Sequence, residues 1–175
     1  MDSDDELVGA LAGGRSGALG SLLERHGEAV LNFLYRLLRD RAAAEDLSQE
    51  TFLRVYRHAD RYVPGGGFRG WLFAIARNLA LNHLRHRALE KRPDARPLKP
   101  SDPAEHAELQ RAVEDAIDRI EEPFRSALVL CSIDGLSYEE AAVACDCSIK
   151  TLSSRLARAR AQLRSLLAPF LPEER

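Results

Sequence analysis

Little in this chain can cross-link, span a bilayer or pleat. Its three cysteines, Cys131, Cys145 and Cys147, are an odd number, which fits a reducing cytoplasm rather than a disulfide framework. The start, MDSDDELVGALAGG, is acidic and lacks an apolar h-region, so it does not read as a secretory leader. The longest apolar run, WLFAIA, is far short of the ~20 residues a membrane-spanning helix needs. No stretch alternates β-branched and polar residues as a half-buried strand does. There is no phosphate-binding glycine loop, no paired-carboxylate signature and no nucleophile–histidine dyad. No catalytic residue is therefore assigned, no cofactor is called for, and an enzyme is the remote reading. The expected location is the cytoplasm, without membrane insertion.

What remains is helix. The chain has 175 residues, 45% hydrophobic and 30% charged, a globular composition. Its few glycines and prolines act as punctuation. Gly13-Gly14 and the Pro64-Gly65-Gly66-Gly67 run mark breaks. Four prolines between Lys91 and Pro103 mark an extended connection. The periodicity predicts helices at about 4–12, 17–39, 43–58, 68–88, 103–120, 123–134, 138–145 and 149–167. Ser101-Asp102-Pro103 is a helix-start signal, and Ser137 with Glu140 spells a capping box. The predicted fold is all-α, in two small helical domains: residues 1–90, a linker at 91–101, and residues 102–175.

Charge is segregated although the net charge is only −2. Residues 69–92 hold six basic residues against one acid, 102–146 hold twelve acids against three arginines, and 150–164 hold five basic residues and no acid. Two basic patches are therefore expected on a near-neutral protein.

The last helix carries one of them. Ile149, Leu152, Leu156, Ala159, Leu163 and Leu167 share a stripe, the expected core face. Lys150, Thr151, Ser154 and Arg158 lie opposite, flanked by Arg155. Hydroxyls and cations in a first turn can donate to phosphates and base edges. A short capped helix precedes it across a tight turn, which is the helix-turn-helix plan.

In the 43–58 helix, Ala44, Leu47, Thr51 and Val55 point toward a core. Asp46, Gln49, Glu50, Leu53 and Tyr56 share the other side, where apolar anchors inside a polar rim have the anatomy of a protein-binding site. The plain alternative is that Leu53 and Tyr56 pack under a neighbouring helix. In the 68–88 helix, Phe68, Trp71, Leu72, Ile75 and Leu79 form the expected core stripe. Arg77, Leu81 and Arg85 are expected opposite, with Asn78 beside them, facing something anionic. The glycine run before this helix leaves backbone free to approach a ligand and could receive a single-stranded base.

Three stretches, AEDLSQETFLRVYR, FRGWLFAIARNLALNHLRHR and GLSYEEAAVACDCSIKTLSSRLARAR, together resemble the extracytoplasmic-function (ECF) sigma factors of bacterial RNA polymerase, over nearly the whole chain. The resemblance implies that Asp46, Gln49, Glu50, Leu53 and Tyr56 bind the β′ clamp of core RNA polymerase. It implies that the 60–68 loop and Arg77, Asn78, Asn82 and Arg85 recognise and help open the −10 element. Lys150, Thr151, Ser154, Arg155 and Arg158 would read the −35 element, and the same lobe would touch the β flap. An anti-sigma factor is the further implied partner. The chain departs from the family pattern at Asp146, where a turn glycine is usual, at Ser153, where a lysine is usual, and at Asn82, where an aspartate is usual. Aspartate tolerates left-handed backbone better than most residues, which lets the turn survive.

Cys145 and Cys147 read as small buried packing residues. A metal or redox switch with Cys131 is the sharper reading, but the spacing is not that of a zinc site. The rival functions are a sigma mimic that sequesters an anti-sigma factor and a stand-alone helix-turn-helix regulator.

Overall fold

The computed structural model describes residues 3–89 and 106–170, all helix and turn. The first lobe comprises α1 (Asp4–Ala12), α2 (Ala18–Leu38), α3 (Arg41–Arg57), a 3-10 turn (Ala59–Arg61) and α4 (Phe68–Leu89). The second comprises α5 (His106–Asp118), α6 (Phe124–Leu128), α7 (Tyr138–Ala144) and α8 (Ile149–Leu167). The expected linker at 91–101 and the start signal at Ser101 lie outside the described residues.

Local chemistry sets most helix ends. Ser3 and Glu6 close a capping box on α1, and Asp40 caps α3 by accepting from the Ala43 amide. α2 stops at Arg39, which adopts left-handed backbone at φ 52° and returns its N–H to the Tyr35 carbonyl. Ser137 and Glu140 form the predicted capping box, and Ser148 caps α8 by accepting from Thr151. One element departs from expectation. The α6 helix widens into a π segment over Val129–Ile133, closed by the Asp134 amide donating to the Val129 carbonyl.

The core of the first lobe combines aliphatic side chains with four buried phenylalanines, Phe33, Phe52, Phe68 and Phe73. Phe33 and Phe73, both fully buried, meet edge-on at 5.3 Å. Each fully buried leucine or phenylalanine contributes about 1.5–3 kcal/mol. In the second lobe Ile120, Leu130, Leu152 and Leu156 play that role. The stripe predicted on α8 holds at Leu152, Leu156 and Ala159, but Ile149 is 45% exposed. It sits in the first turn, ahead of the packed part of the helix.

The two lobes pack on each other, and the apolar core runs through both. The closest approach is helix on helix. A Cβ added at Gly70 of α4 would stand 2.9 Å from the Glu140 carbonyl oxygen and 3.2 Å from the Val143 Cβ of α7. Arginines of the first lobe meet acids of the second around this contact. Arg36 pairs with Asp134 at 3.1 Å, Arg39 with Asp118 at 2.6 Å, and Arg69 with Glu140 at 3.8 Å. Arg69 also donates to the carbonyls of Asp134 and Gly135 at 2.7 and 3.3 Å. Part of the acidic excess over 102–146 thus meets cations from the other lobe.

Candidate partner and nucleic-acid interfaces

Among the described residues, the outer face of α3 is open. Ala44, Thr51, Phe52 and Val55 are buried, while Asp46, Gln49, Leu53 and Tyr56 are exposed and Glu50 is half-buried. Leu53 and Tyr56 keep 44% and 43% of their surfaces in solvent, so no helix among the described residues covers them. Glu50 accepts from Arg54 at 2.8 Å, and that contact holds its carboxyl below the usual range. The result is two apolar side chains framed by Asp46, Gln49 and an ordered ion pair.

Only part of the face predicted on α4 is open. Asn78, Asn82 and Arg85 are exposed, and Arg85 donates to the Asn82 side-chain oxygen at 3.1 Å. Arg77 is not on that face. It is 8% exposed, turned into the contact between the lobes, 3.9 Å from Glu122, with its Nε unpartnered. Glu122 accepts from the Ser126 hydroxyl at 2.7 Å and lies 3.5 Å from Arg125. The periodicity of α4 alone could not reveal this, because the face carrying Arg77 is covered by another lobe rather than by solvent.

The loop ahead of α4 is well defined. Gly65 and Gly67 adopt φ 79° and 78°, and the Gly66 amide closes a turn onto the Val63 carbonyl at 3.0 Å. Tyr62, Phe68 and Trp71 cluster beneath it. The Tyr62 ring lies 5.3 Å from Trp71 and 6.0 Å from Phe68. The tip residue Val63 is 71% exposed.

The helix-turn-helix geometry is complete. α7 ends at Ala144 with Cys145 as its C-cap, Asp146 turns the chain at φ 49°, and α8 starts at Ile149. Asp146 therefore occupies the left-handed position where glycine costs least. On α8, Lys150, Thr151, Ser154 and Arg158 are exposed and Arg155 is half-buried. Arg158 also lies over the Phe124 ring at 5.9 Å. Cys145 is buried beside this turn, and burial pushes its thiol up to about 11, which makes it a packing residue rather than a nucleophile at neutral pH. Cys131 and Cys147 are half-buried and also free. Among the described residues no group of three or more His, Cys, Asp or Glu side chains could hold a metal ion.

Sequence reasoning did not find the roles of Asp5, Tyr62, Glu122 or Asp134, and it found Glu140 as a cap but not as a partner of Arg69. The acid-rich run at 102–146 was the available signal for the last three, since unpaired carboxylates at that density call for a cationic partner surface.

Two lobes of this kind, one with an exposed leucine–tyrosine face and one with a basic helix-turn-helix, define a two-part binder. The Sigma-70 region 2 family model matches residues 22–90, and the Sigma-70, region 4 model matches residues 110–163. The chain is 38% identical over 161 residues to the ECF RNA polymerase sigma factor SigE of Mycolicibacterium smegmatis, covering 87% of this chain and 62% of that protein. It is 37% identical over 185 residues to the ECF RNA polymerase sigma factor SigC of Mycobacterium tuberculosis, covering 98% of this chain and 96% of that one. Among solved structures, the sigma factor RpoE of Bartonella quintana, in complex with the anti-sigma factor NepR, superposes with a TM-score of 0.73 at 28% identity, over 85% of this chain and 96% of that one. The chain belongs to the ECF sigma factors of RNA polymerase. Among the described residues no helix is long and apolar enough to cross a membrane.

Proposed function

We propose that this chain directs promoter recognition by bacterial RNA polymerase with a fixed division of labour. The first lobe, residues 1–90, binds the β′ clamp through Asp46, Gln49, Glu50, Leu53 and Tyr56. The same lobe takes the −10 element with the 60–68 loop, whose open part is 62–67 between the 3-10 turn and α4, and with Asn78, Asn82 and Arg85. The second lobe, residues 102–175, reads the −35 element through Lys150, Thr151, Ser154, Arg155 and Arg158 and touches the β flap. The polymerase supplies the bond chemistry. The observation that carries the reading is that one chain holds both an uncovered apolar face on α3 and an uncovered basic first turn on α8. A sigma mimic would need the first and not the second, and a stand-alone DNA-binding regulator the reverse. Arg77 is removed from the DNA-contact set because its guanidinium is buried between the lobes.

An anti-sigma factor is proposed as a further partner, since the Bartonella relative is held by one. The test is binding of the labelled protein to core RNA polymerase free of other sigma factors, followed by run-off transcription from fragmented genomic DNA. Tight binding with discrete new start sites is expected. A folded protein that ignores the core enzyme would overturn the reading in favour of the mimic or the regulator.

A further inference from the structure

We infer that Asp5 of α1 is a positioning residue that holds the 62–67 loop in the shape that takes a DNA base. This rests on the reading of that loop as part of the −10 surface. One Asp5 carboxylate oxygen accepts from the Tyr62 hydroxyl, and the other accepts from the Gly65 amide at 2.7 Å. The two donors bracket Val63 and Pro64, so a single side chain grips both ends of the loop tip. Besides the turn closed by the Gly66 amide on the Val63 carbonyl, Asp5 supplies the side-chain hydrogen bonds to this loop among the described residues. The loop contains three consecutive glycines, whose backbone freedom must be frozen, and an exposed Val63 with no packing of its own to anchor it. Hydrogen bonds to an ionised carboxylate are roughly twice as strong as neutral ones. Burial and the adjacent Asp5 both raise the Tyr62 hydroxyl above its usual range, so it stays a donor at every physiological pH.

Asp5 is itself fixed. Leu7, Val8 and Leu11 bury α1 against the lobe. Its neighbour Asp4 pairs with Arg25 at 3.0 Å and His26 at 2.8 Å on α2. On the far side, the Tyr62 ring rests against Trp71 of α4. A continuous line therefore runs from α1 through Asp5 and Tyr62 to α4. Both Asp5 carboxylate oxygens are engaged by donors of the loop itself, which fits a residue that shapes the loop. α1 lies ahead of residues 22–90, the part matched by the region 2 model.

The test uses holoenzyme assembled from core RNA polymerase and the full chain. The probe is a pool of single-stranded DNA with a randomised window, and the proteins compared are wild type, Asp5→Ala, Asp5→Asn and Val63→Glu. Wild type is expected to enrich a motif. Asp5→Ala removes two hydrogen bonds that act on DNA only through the shape of the loop, and it is expected to lower that enrichment about fivefold with core affinity unchanged. In the free chain, where Trp71 is the one tryptophan, its emission is expected to shift in Asp5→Ala. Asp5→Asn keeps an acceptor for the Gly65 amide and is expected to restore most of the selection. Wild-type selection by Asp5→Ala alongside a defective Val63→Glu overturns the inference and leaves the loop reading standing. Loss of core binding in proportion to selection makes Asp5 merely structural and also overturns it. Wild-type selection by Val63→Glu removes the loop from the −10 surface, and the inference falls with it.

Discussion

Asp134 of the second lobe reaches across to Arg36 of the first at 3.1 Å, and its other carboxylate oxygen has no partner. Burial pushes its carboxyl up to about 6, outweighing the opposing pull of Arg36 and Arg69. The native state therefore holds this proton more tightly than the unfolded chain, whose carboxylate titrates near 3.9. Its contribution to stability is full below the unfolded value and is lost as pH rises through about 6. Asp134→Asn, a mimic of the protonated form, is expected to match wild type at about pH 4 and to exceed it by about 1–3 kcal/mol above about pH 7. Urea unfolding at the two pH values checks this. An asparagine variant that is weaker at neutral pH would mean that the Arg36 pair outweighs burial.

Gly70 is where α7 comes closest to α4, and a methyl group there meets backbone that cannot rotate away. In an isolated helix Gly→Ala is worth about 1 kcal/mol in the favourable direction. Here the substitution is expected to push the lobes apart. Energy transfer between dyes on α2 and α5 should fall in Gly70→Ala while helix content by circular dichroism holds. Unchanged transfer would mean that α7 slides to accommodate the methyl.

Leu53 and Tyr56 are more than two-fifths exposed, so trimming them removes little core. Leu53→Ala and Tyr56→Ala are each expected to weaken core-polymerase binding by about 1–2 kcal/mol or more, as anchors at an interface centre do, with melting temperature nearly unchanged. A sharp drop in melting temperature would show that they support the lobe instead.

Arg77 and Arg158 should behave as opposites although both entered as DNA contacts. Arg158→Ala is expected to weaken −35 duplex binding by about 1–3 kcal/mol if it touches a base, leaving stability almost intact. Arg77→Ala removes a buried side chain and one of the two cations beside the half-buried Glu122, leaving Arg125 at 3.5 Å, and is expected to cost about 1–3 kcal/mol of stability. Thermal melts of the two variants, alongside duplex binding, separate the roles.

The helices were legible because each depends on its own residues. Ser137 and Glu140 cap α7 where the spacing said they would, and Asp146 takes the left-handed turn that its short polar side chain tolerates. The uncovered face of α3 was legible for the same reason, since Ala44, Thr51 and Val55 assign the inside and leave Leu53 and Tyr56 outside. The burial of Arg77 was not, because it depends on which helix of a distant segment lands on α4. A glycine at 70 and alanine at 74 were weak hints of a close neighbour. The π segment over Val129–Ile133 left no mark in the periodicity at all. Asp5 escaped notice because its partners are 57 and 60 residues away.

The contact at Gly70 and the ion pairs around it respond to different things. Dissolved ions weaken the grip of Arg36, Arg39 and Arg69 on their acids, most where those pairs reach solvent. They do nothing to the shape of a helix surface missing one side chain. Rising salt should therefore change how often the two halves are together and not the register in which they meet. A notch that admits one backbone at one depth gives the halves a single seat to return to.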